Sequence, residues 1–293
     1  ASSTQLLNGR TRQWDWPLID ELNIPRTIFP ELHEAGRELG YVTTIAGLEK
    51  TKVVAVGSHD TASAVAAAPM VDPAHAIYIS SGTWSLVGCE LHEPITDASA
   101  LNVNMTNELG INGTVRFLKN VSGMWIISEL LREWELLGEK ISVEELVRDA
   151  QSVTTDARIN PNDPVFLHPG PMVERIQFFC AEHEGVVPQS KGEIALCVYL
   201  SLAESYDRTI KEIENATGKR FSSISVVGGG SANDFLNQLT ANATQLTVYA
   251  GPVEATLLGN VGAQAMAAGV LRDLAHLRNL VRKHAKPREY RPR

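Results

Sequence analysis

The sequence predicts an α/β fold, and three observations carry that expectation. Short β-branched runs end in glycine and lead into helix-compatible stretches, at 52–57 and again at 224–227. Two pairs of strand-like runs flank turn sequences in the first half of the chain. Longer stretches with apolar residues at helical spacing separate these hairpins from the second glycine run. Strands followed by helices, with hairpins near the front, suit mixed α/β layers rather than a bundle or a sandwich.

Taken in order, residues 52–57 (Lys-Val-Val-Ala-Val-Gly) read as a buried strand. Residues 61–68 are small and Ala-rich and predict a helix stopping near Pro69. Residues 76–80 and 85–90 predict one hairpin around Ser-Gly-Thr. Residues 101–108 and 114–119 predict a second, around Gly110-Ile111-Asn112-Gly113. Over 124–137, Ile127, Leu130, Leu131, Trp134 and Leu137 mark an amphipathic helix, with Trp125 and Trp134 packing it. Residues 194–216 predict a long helix closed by Gly218 as its C-cap. After the strand at 224–227, Ser231 with Asp234 three residues on resembles a capping box and opens a helix to about Thr244. A last strand is expected at 247–250, and Pro252 sits where a helix can begin. Trp14 and Trp16 read as surface-to-core anchors, and Pro161 and Pro164 bracket a turn at Asn162-Asp163.

Composition bounds the function. A chain of 293 residues holds two domains or one large one. With 44% hydrophobic and 20% charged residues it is globular rather than disordered. Its longest apolar stretches, such as 62–71, fall well short of the roughly 18–20 residues a membrane span needs. Residues 1–5 carry no basic and apolar signal pattern, so a cytoplasmic protein with no membrane partner is expected. The 26 basic and 34 acidic residues give −8, which disfavours nucleic acid as a partner of the whole chain. Charge is uneven: seven Lys/Arg against one Glu over 278–293 give that stretch +6 and leave −14 on residues 1–277. One short basic tract is a weak signal, and the stretch reads as a helix end with a frayed tail. The three cysteines, Cys89, Cys180 and Cys197, have no zinc spacing and suit buried thiols in a reducing compartment. A Cys180–Cys197 bridge is open, since each lies on an expected helix.

Three segments stand out chemically. Gly57-Ser58-His59-Asp60-Thr61 joins a strand to a helix, where open α/β sheets bind ligands. Beside helix N–H groups, Asp60 is expected to be ionised and able to accept a proton from an attacking hydroxyl. The same residue can simply cap the helix, and the motif alone favours the cap. The Gly82-Thr83 turn offers N–H groups and a hydroxyl that suit phosphate oxygens, or is a plain hairpin turn. Gly228-Gly229-Gly230 lets a flat or anionic ligand approach the backbone, or is a tight connection. No Gly-Lys-Ser/Thr follows, so it is not a P-loop, and contiguous glycines are not a dinucleotide fingerprint.

As a set these segments resemble the FGGY carbohydrate kinases of the actin/hexokinase-like (ribonuclease H-like) ATPase superfamily. The stretches that carry the resemblance are GSHDTASAV (57–65), YISSGTWSLVG (78–88), TNE (106–108), RFLKN (116–120), INPNDPVF (159–166), VVGGGSAN (226–233), LNQLTANAT (236–244) and AGPVEATLLGN (250–260). The resemblance implies ATP and Mg²⁺ as cofactors and a small sugar as substrate, with L-rhamnulose ahead of L-fuculose, L-ribulose or xylulose. Asp60 would be the catalytic base. His59, Thr61 and Asn120 would help to hold the sugar. Thr83 would meet the terminal phosphates, Gly229 would lie against the nucleotide, and Asn233 near the adenine. Mg²⁺ would bridge the β- and γ-phosphates without a direct protein ligand. A non-catalytic sugar- or nucleotide-binding regulator on the same fold is the alternative from another class.

Two departures qualify this. Ser128 stands where such relatives often carry a Gln that contacts the nucleotide, so that contact is expected to be lost or water-mediated. The family's Asp-x-Gly-Thr phosphate hairpin has no counterpart before Asp60. The expectation is therefore a remnant of the N-terminal, sugar-binding domain at 1–70, followed by the C-terminal, nucleotide-binding domain at 71–293, with little or no turnover by these residues alone.

Overall fold

A computed structural model describes residues 1–183 and 185–293. The chain enters through two antiparallel ribbons: β1 (Leu7–Asn8) with β2 (Gln13–Trp14), then, after α1 (Trp16–Glu21), β3 (Glu38–Tyr41) with β4 (Lys52–Val54). Trp14 and Trp16 both meet the Phe29 ring edge-on, at 4.8 and 5.7 Å, so this segment packs on itself. The run at 52–57 is not a buried strand. Its strand spans three residues, with Ala55 extending the pairing to Gly36 and Arg37, in a ribbon with open faces where Lys52 and Val53 are exposed.

After α2 (Asp60–Ala66), the main sheet forms from β5 (Ala76–Ser81), β6 (Trp84–Leu91), β7 (Thr106–Leu109), β8 (Val115–Ser122), β9 (Ser223–Val227), β10 (Thr247–Ala250) and β11 (Arg288–Tyr290). Their order is β11-β10-β9-β5-β6-β8-β7. β5, β9 and β10 run parallel, while β6, β8 and β7 continue antiparallel from β5. Tight turns make the antiparallel half, and the parallel half requires helical crossovers.

One face carries α4 (Trp125–Leu136), α5 (Val143–Gln151), α6 (Met172–His183), α7 (Lys191–Thr217) and α8 (Asp234–Thr244). The other carries α2, α9 (Ala255–Ala267) and α10 (Leu274–Ala285). Strand β5 shows why both faces are dry. Ile77 and Ile79 enter the first core, while Ala76 and Tyr78 enter the second. The long helix α7 closes on Gly218 at φ 66°, as its sequence predicts, and opens three residues earlier than expected, on a Ser190–Glu193 capping box.

Three expectations need correction. Residues 101–103 do not extend a strand. Asp97 caps a short helix, α3 (Ala98–Asn102), through Ser99 N and Ala100 N, and pairing starts only at Thr106. The helix expected from Pro252 starts at Ala255, because Pro252 O is engaged by Gly228 N at 3.2 Å. The basic tail does not fray. After α10, β11 pairs with β10 at the sheet edge. Within α10, Arg278 is buried, donating to Val65 O at 3.0 Å and pairing with Glu90 at 2.7 Å. The bridge left open between Cys180 and Cys197 does not form: their sulfurs lie 4.0 Å apart, and all three cysteines are buried, as expected. The partner thiol of Cys180 and burial both push Cys197 upward, and burial raises Cys89 to about 12. Both should therefore resist iodoacetamide at pH 8 in the folded chain and react once it is unfolded, which intact-mass spectrometry reads directly.

The division at residue 70 remains a proposal. Residues 64–68 and Met70 pack in the cluster with Tyr78, Ala255 and Leu277, which favours a boundary closer to Gly57. No helix among the described residues is long and apolar enough to cross a membrane.

Candidate functional site

The carboxyl ends of β5, β9 and β10 meet in one place. Gly82 and Thr83 form the two-residue turn after β5, with Gly82 N donating to Trp84 O at 2.9 Å. The glycine turn after β9 rests directly on Ser81, the last residue of β5. A Cβ at Gly228 would come within 2.8 Å of Ser81 O, and one at Gly230 within 2.0 Å of Ser81 Oγ. Gly228 also has φ 83°, which an L side chain rarely adopts. Two turns separated by about 145 residues are thus packed against each other, because each of these glycines presents bare backbone.

Ser231 does not cap α8. Its Oγ donates to Gly228 O at 2.7 Å and closes the glycine turn instead. Asn233 is the cap, accepting from Leu236 N at 3.0 Å, and its Nδ2 lies 3.3 Å from the Tyr199 hydroxyl. Asp234 pairs with Arg288 and accepts from the Tyr290 hydroxyl.

A cleft of about 690 Å³ opens over these turns. Thr83, Ser128, Gly229 and Asn233, the four residues expected to meet the nucleotide, all line it. A Cβ at Gly229 would meet nothing within 4 Å, so the backbone there is open. The Ser128 hydroxyl donates to Met124 O at 3.0 Å. Sequence reasoning missed the rest of the wall: Ile127 and Leu131 from α4, and Val143, Val147 and Arg148 from α5. The α4 residues read from the sequence only as the apolar face of an amphipathic helix. Helix α5 was overlooked altogether, although Ser142 and Glu145 form a capping box that could have revealed it. Apolar side chains from α4 and α5 together with the open backbone at Gly229 and the Thr83 turn fit a base and its phosphates. Among the described residues, no group of three or more His, Cys, Asp or Glu could hold a metal ion.

Asp60 opens α2, with His59 as the cap residue. Its Oδ1 accepts from Thr61 N at 2.6 Å and from Thr61 Oγ1 at 3.3 Å, and its side chain is 78% exposed. Thr61 is buried, so its hydroxyl faces the carboxylate rather than open solvent. His59 Nδ1 lies 3.2 Å from Thr61 N and 3.1 Å from Asp60 Oδ1. Accepting from Thr61 requires the proton on Nε2, whereas donating to Asp60 requires it on Nδ1. The N-terminus of α9 is close by, since Thr256 Oγ1 donates to Asp60 O at 3.4 Å.

Asn120 is exposed near the end of β8, opposite Leu86. It lines neither this cleft nor a second cavity of about 480 Å³. That second cavity lies beside His59 and is walled by Arg12, His33, Glu34 and Asn112.

Comparison with known proteins follows the same lines. A family profile described as "FGGY family of carbohydrate kinases, C-terminal domain" matches residues 77–268. A rhamnulokinase of Mannheimia succiniciproducens is 40% identical over 294 residues, covering 100% of this chain and 59% of that protein. A rhamnulokinase of Bacillus subtilis is 43% identical over 286 residues, covering 96% of this chain and 58% of the relative. The chain thus spans about three-fifths of the length of these relatives. Among solved structures, Plasmodium falciparum glycerol kinase with ADP superposes with a TM-score of 0.75 at 13% identity, over 98% of this chain and 57% of the other. A ligand-bound xylulose kinase from Lactobacillus acidophilus gives 0.71 at 17% identity, over 98% and 58%. At those identities the superpositions speak for the fold alone, which is actin/hexokinase-like. The profile spans about two-thirds of the residues, and the relatives share 40–43% identity over 96–100% of them: the chain belongs to the FGGY family of carbohydrate kinases.

Proposed function

We propose that this chain provides the nucleotide cleft and the general base of an ATP-dependent sugar kinase whose substrate is L-rhamnulose. The observation that carries the reading is the meeting of Thr83, Ser128, Gly229 and Asn233 in one cleft at the carboxyl ends of the parallel strands. The sugar preference rests on the rhamnulokinase relatives at 40–43% identity. Because these relatives are longer, the activity is proposed for a protein of their full length.

When bound, MgATP supplies the phosphoryl group that is transferred. Asp60 takes the proton from the sugar hydroxyl as the oxygen–phosphorus bond forms, and ADP leaves with the electrons of the broken bond. The contacts of Asp60 Oδ1 with Thr61 fix the carboxylate, while Oδ2 accepts no hydrogen bond from the described residues. With its proton on Nε2, His59 can donate to a sugar oxygen while Nδ1 holds the helix start. Thr83 and the open backbone at Gly229 receive the phosphates. Such transfers depend mainly on positioning and charge neutralisation, which a site of turns and one carboxylate can supply.

The test is ADP release by the full-length protein with MgATP against a panel of ketoses. Preference for L-rhamnulose supports the reading. Preference for another ketose moves the substrate within the family, and nucleotide binding with no turnover of any sugar favours the regulator.

A further inference from the structure

The two ends of the cleft are joined by a contact that the reaction scheme leaves unused. Helix α4 begins directly under the Gly82-Thr83 turn. The first N–H groups of a helix have no acceptor within it. Here they go to the turn: Met124 N donates to Gly82 O at 2.9 Å, and Trp125 N donates to Thr83 O at 3.1 Å. Gly123 makes the approach possible. A Cβ at this position would come within 2.6 Å of Gly82 O and 2.8 Å of Thr83 O. Those are backbone atoms and cannot rotate aside.

The start of α4 is braced from the other side as well. Trp125 Nε1 donates to Phe166 O at 2.9 Å, and Ser122 N donates to the Asn162 side chain at 2.7 Å. Further along, the same helix presents Ile127, Ser128 and Leu131 to the cleft. The wall at the apolar end is thereby pinned to the turn at the polar end.

We infer that Gly123 is a positioning residue for the nucleotide: by letting α4 dock on the turn, it sets the spacing between Thr83 and the α4 wall. This rests on the nucleotide reading of the cleft. Gly123 touches no substrate, so its effect should depend on whether the ligand carries phosphates. Adenosine uses only the wall, whereas ATP spans wall and turn.

The experiment is calorimetric titration of MgATP and of adenosine into the full-length protein, unaltered and with Gly123→Ala or Gly88→Ala. A Cβ at Gly88 would come within 2.5 Å of Phe117 O, a comparable collision away from the cleft. Gly123→Ala is expected to weaken MgATP about tenfold, the scale of one lost hydrogen bond to a charged group, and to leave adenosine unchanged. Gly88→Ala should leave the ratio of the two affinities as it is. Equal weakening of both ligands by Gly123→Ala, or no change in MgATP affinity, overturns the inference. If the unaltered full-length protein binds neither ligand, the nucleotide reading fails and takes the inference with it.

A second measurement does not depend on a variant folding. In the unaltered chain, the amides of Met124 and Trp125 should exchange slowly and be slowed further by MgATP but not by adenosine. Fast exchange at both amides in the free chain overturns the docking of α4 on the turn.

Discussion

Asp60→Asn is expected to lower kcat of the full-length protein about a thousandfold, the scale of a lost general base, with KM for ATP unchanged. The substitution is chosen to leave the fold alone. Asn keeps an acceptor at Oδ1, so Thr61 N and Thr61 Oγ1 retain their partner. The side chain is largely solvent-exposed, so no buried charge is lost. What disappears is the capacity to hold a proton. A variant that unfolds at the same temperature as the parent yet releases ADP within about tenfold of its rate would remove Asp60 from the role of base.

Gly259→Ala is expected to destabilise the protein by at least about 3 kcal/mol, the upper range for overpacking, because the new atom strikes backbone. The Cβ would lie 1.7 Å from Ser63 O and 2.5 Å from Ser63 C. Helices α2 and α9 cross at this point through small residues, and Ala62, Ser63 and Ala66 are all buried there. No rotamer relieves the contact, so the helices must separate. Urea unfolding should show a lower midpoint with an unchanged slope. Gly229→Ala is the contrast: open space surrounds that position, and stability should hold. Equal stability of Gly259→Ala and its parent would mean that α2 and α9 are not in contact as described. Since α2 carries Asp60, the same substitution should lower turnover in whatever fraction remains folded.

Much of this architecture was legible because its signals are local. The strands at 76–81 and 223–227 announce themselves by β-branched residues stopped by turn residues, and α7 by its periodicity and Gly218. The failures have a common cause in non-local pairing. Residues 52–57 have strand composition, but composition does not say whether the partner is a ribbon or a sheet. Ser231 and Asn233 are both competent caps, and the choice fell to Asn233 because the glycine turn had already claimed the Ser231 hydroxyl. The tail looked frayed by charge, yet Arg278 answers Glu90 and Arg288 answers Asp234, partners that lie far away in sequence. At the cleft, Gly82, Thr83 and Gly229 were legible as turn residues, while Ser128 and Asn233 were singled out only by the family resemblance. Ile127 and Leu131 of α4 were not, since an apolar cleft wall and a core face have the same composition.

The buried Arg278 has a consequence for the order in which the molecule comes together. The carbonyl it caps, Val65 O, precedes it by 213 positions. At roughly 5–20 residues per second, a ribosome takes about 10–40 s to deliver that partner. Over this interval α2 is an Ala-rich helix with an open apolar face, and Glu90 is a carboxylate whose cation has not been made. The parallel neighbour of β5, β9, also arrives late in this interval. The helix that carries Asp60 is therefore fixed only near the end of synthesis. A chain halted before α10 would expose that face together with an uncompensated charge, the kind of surface on which chaperones and proteases act.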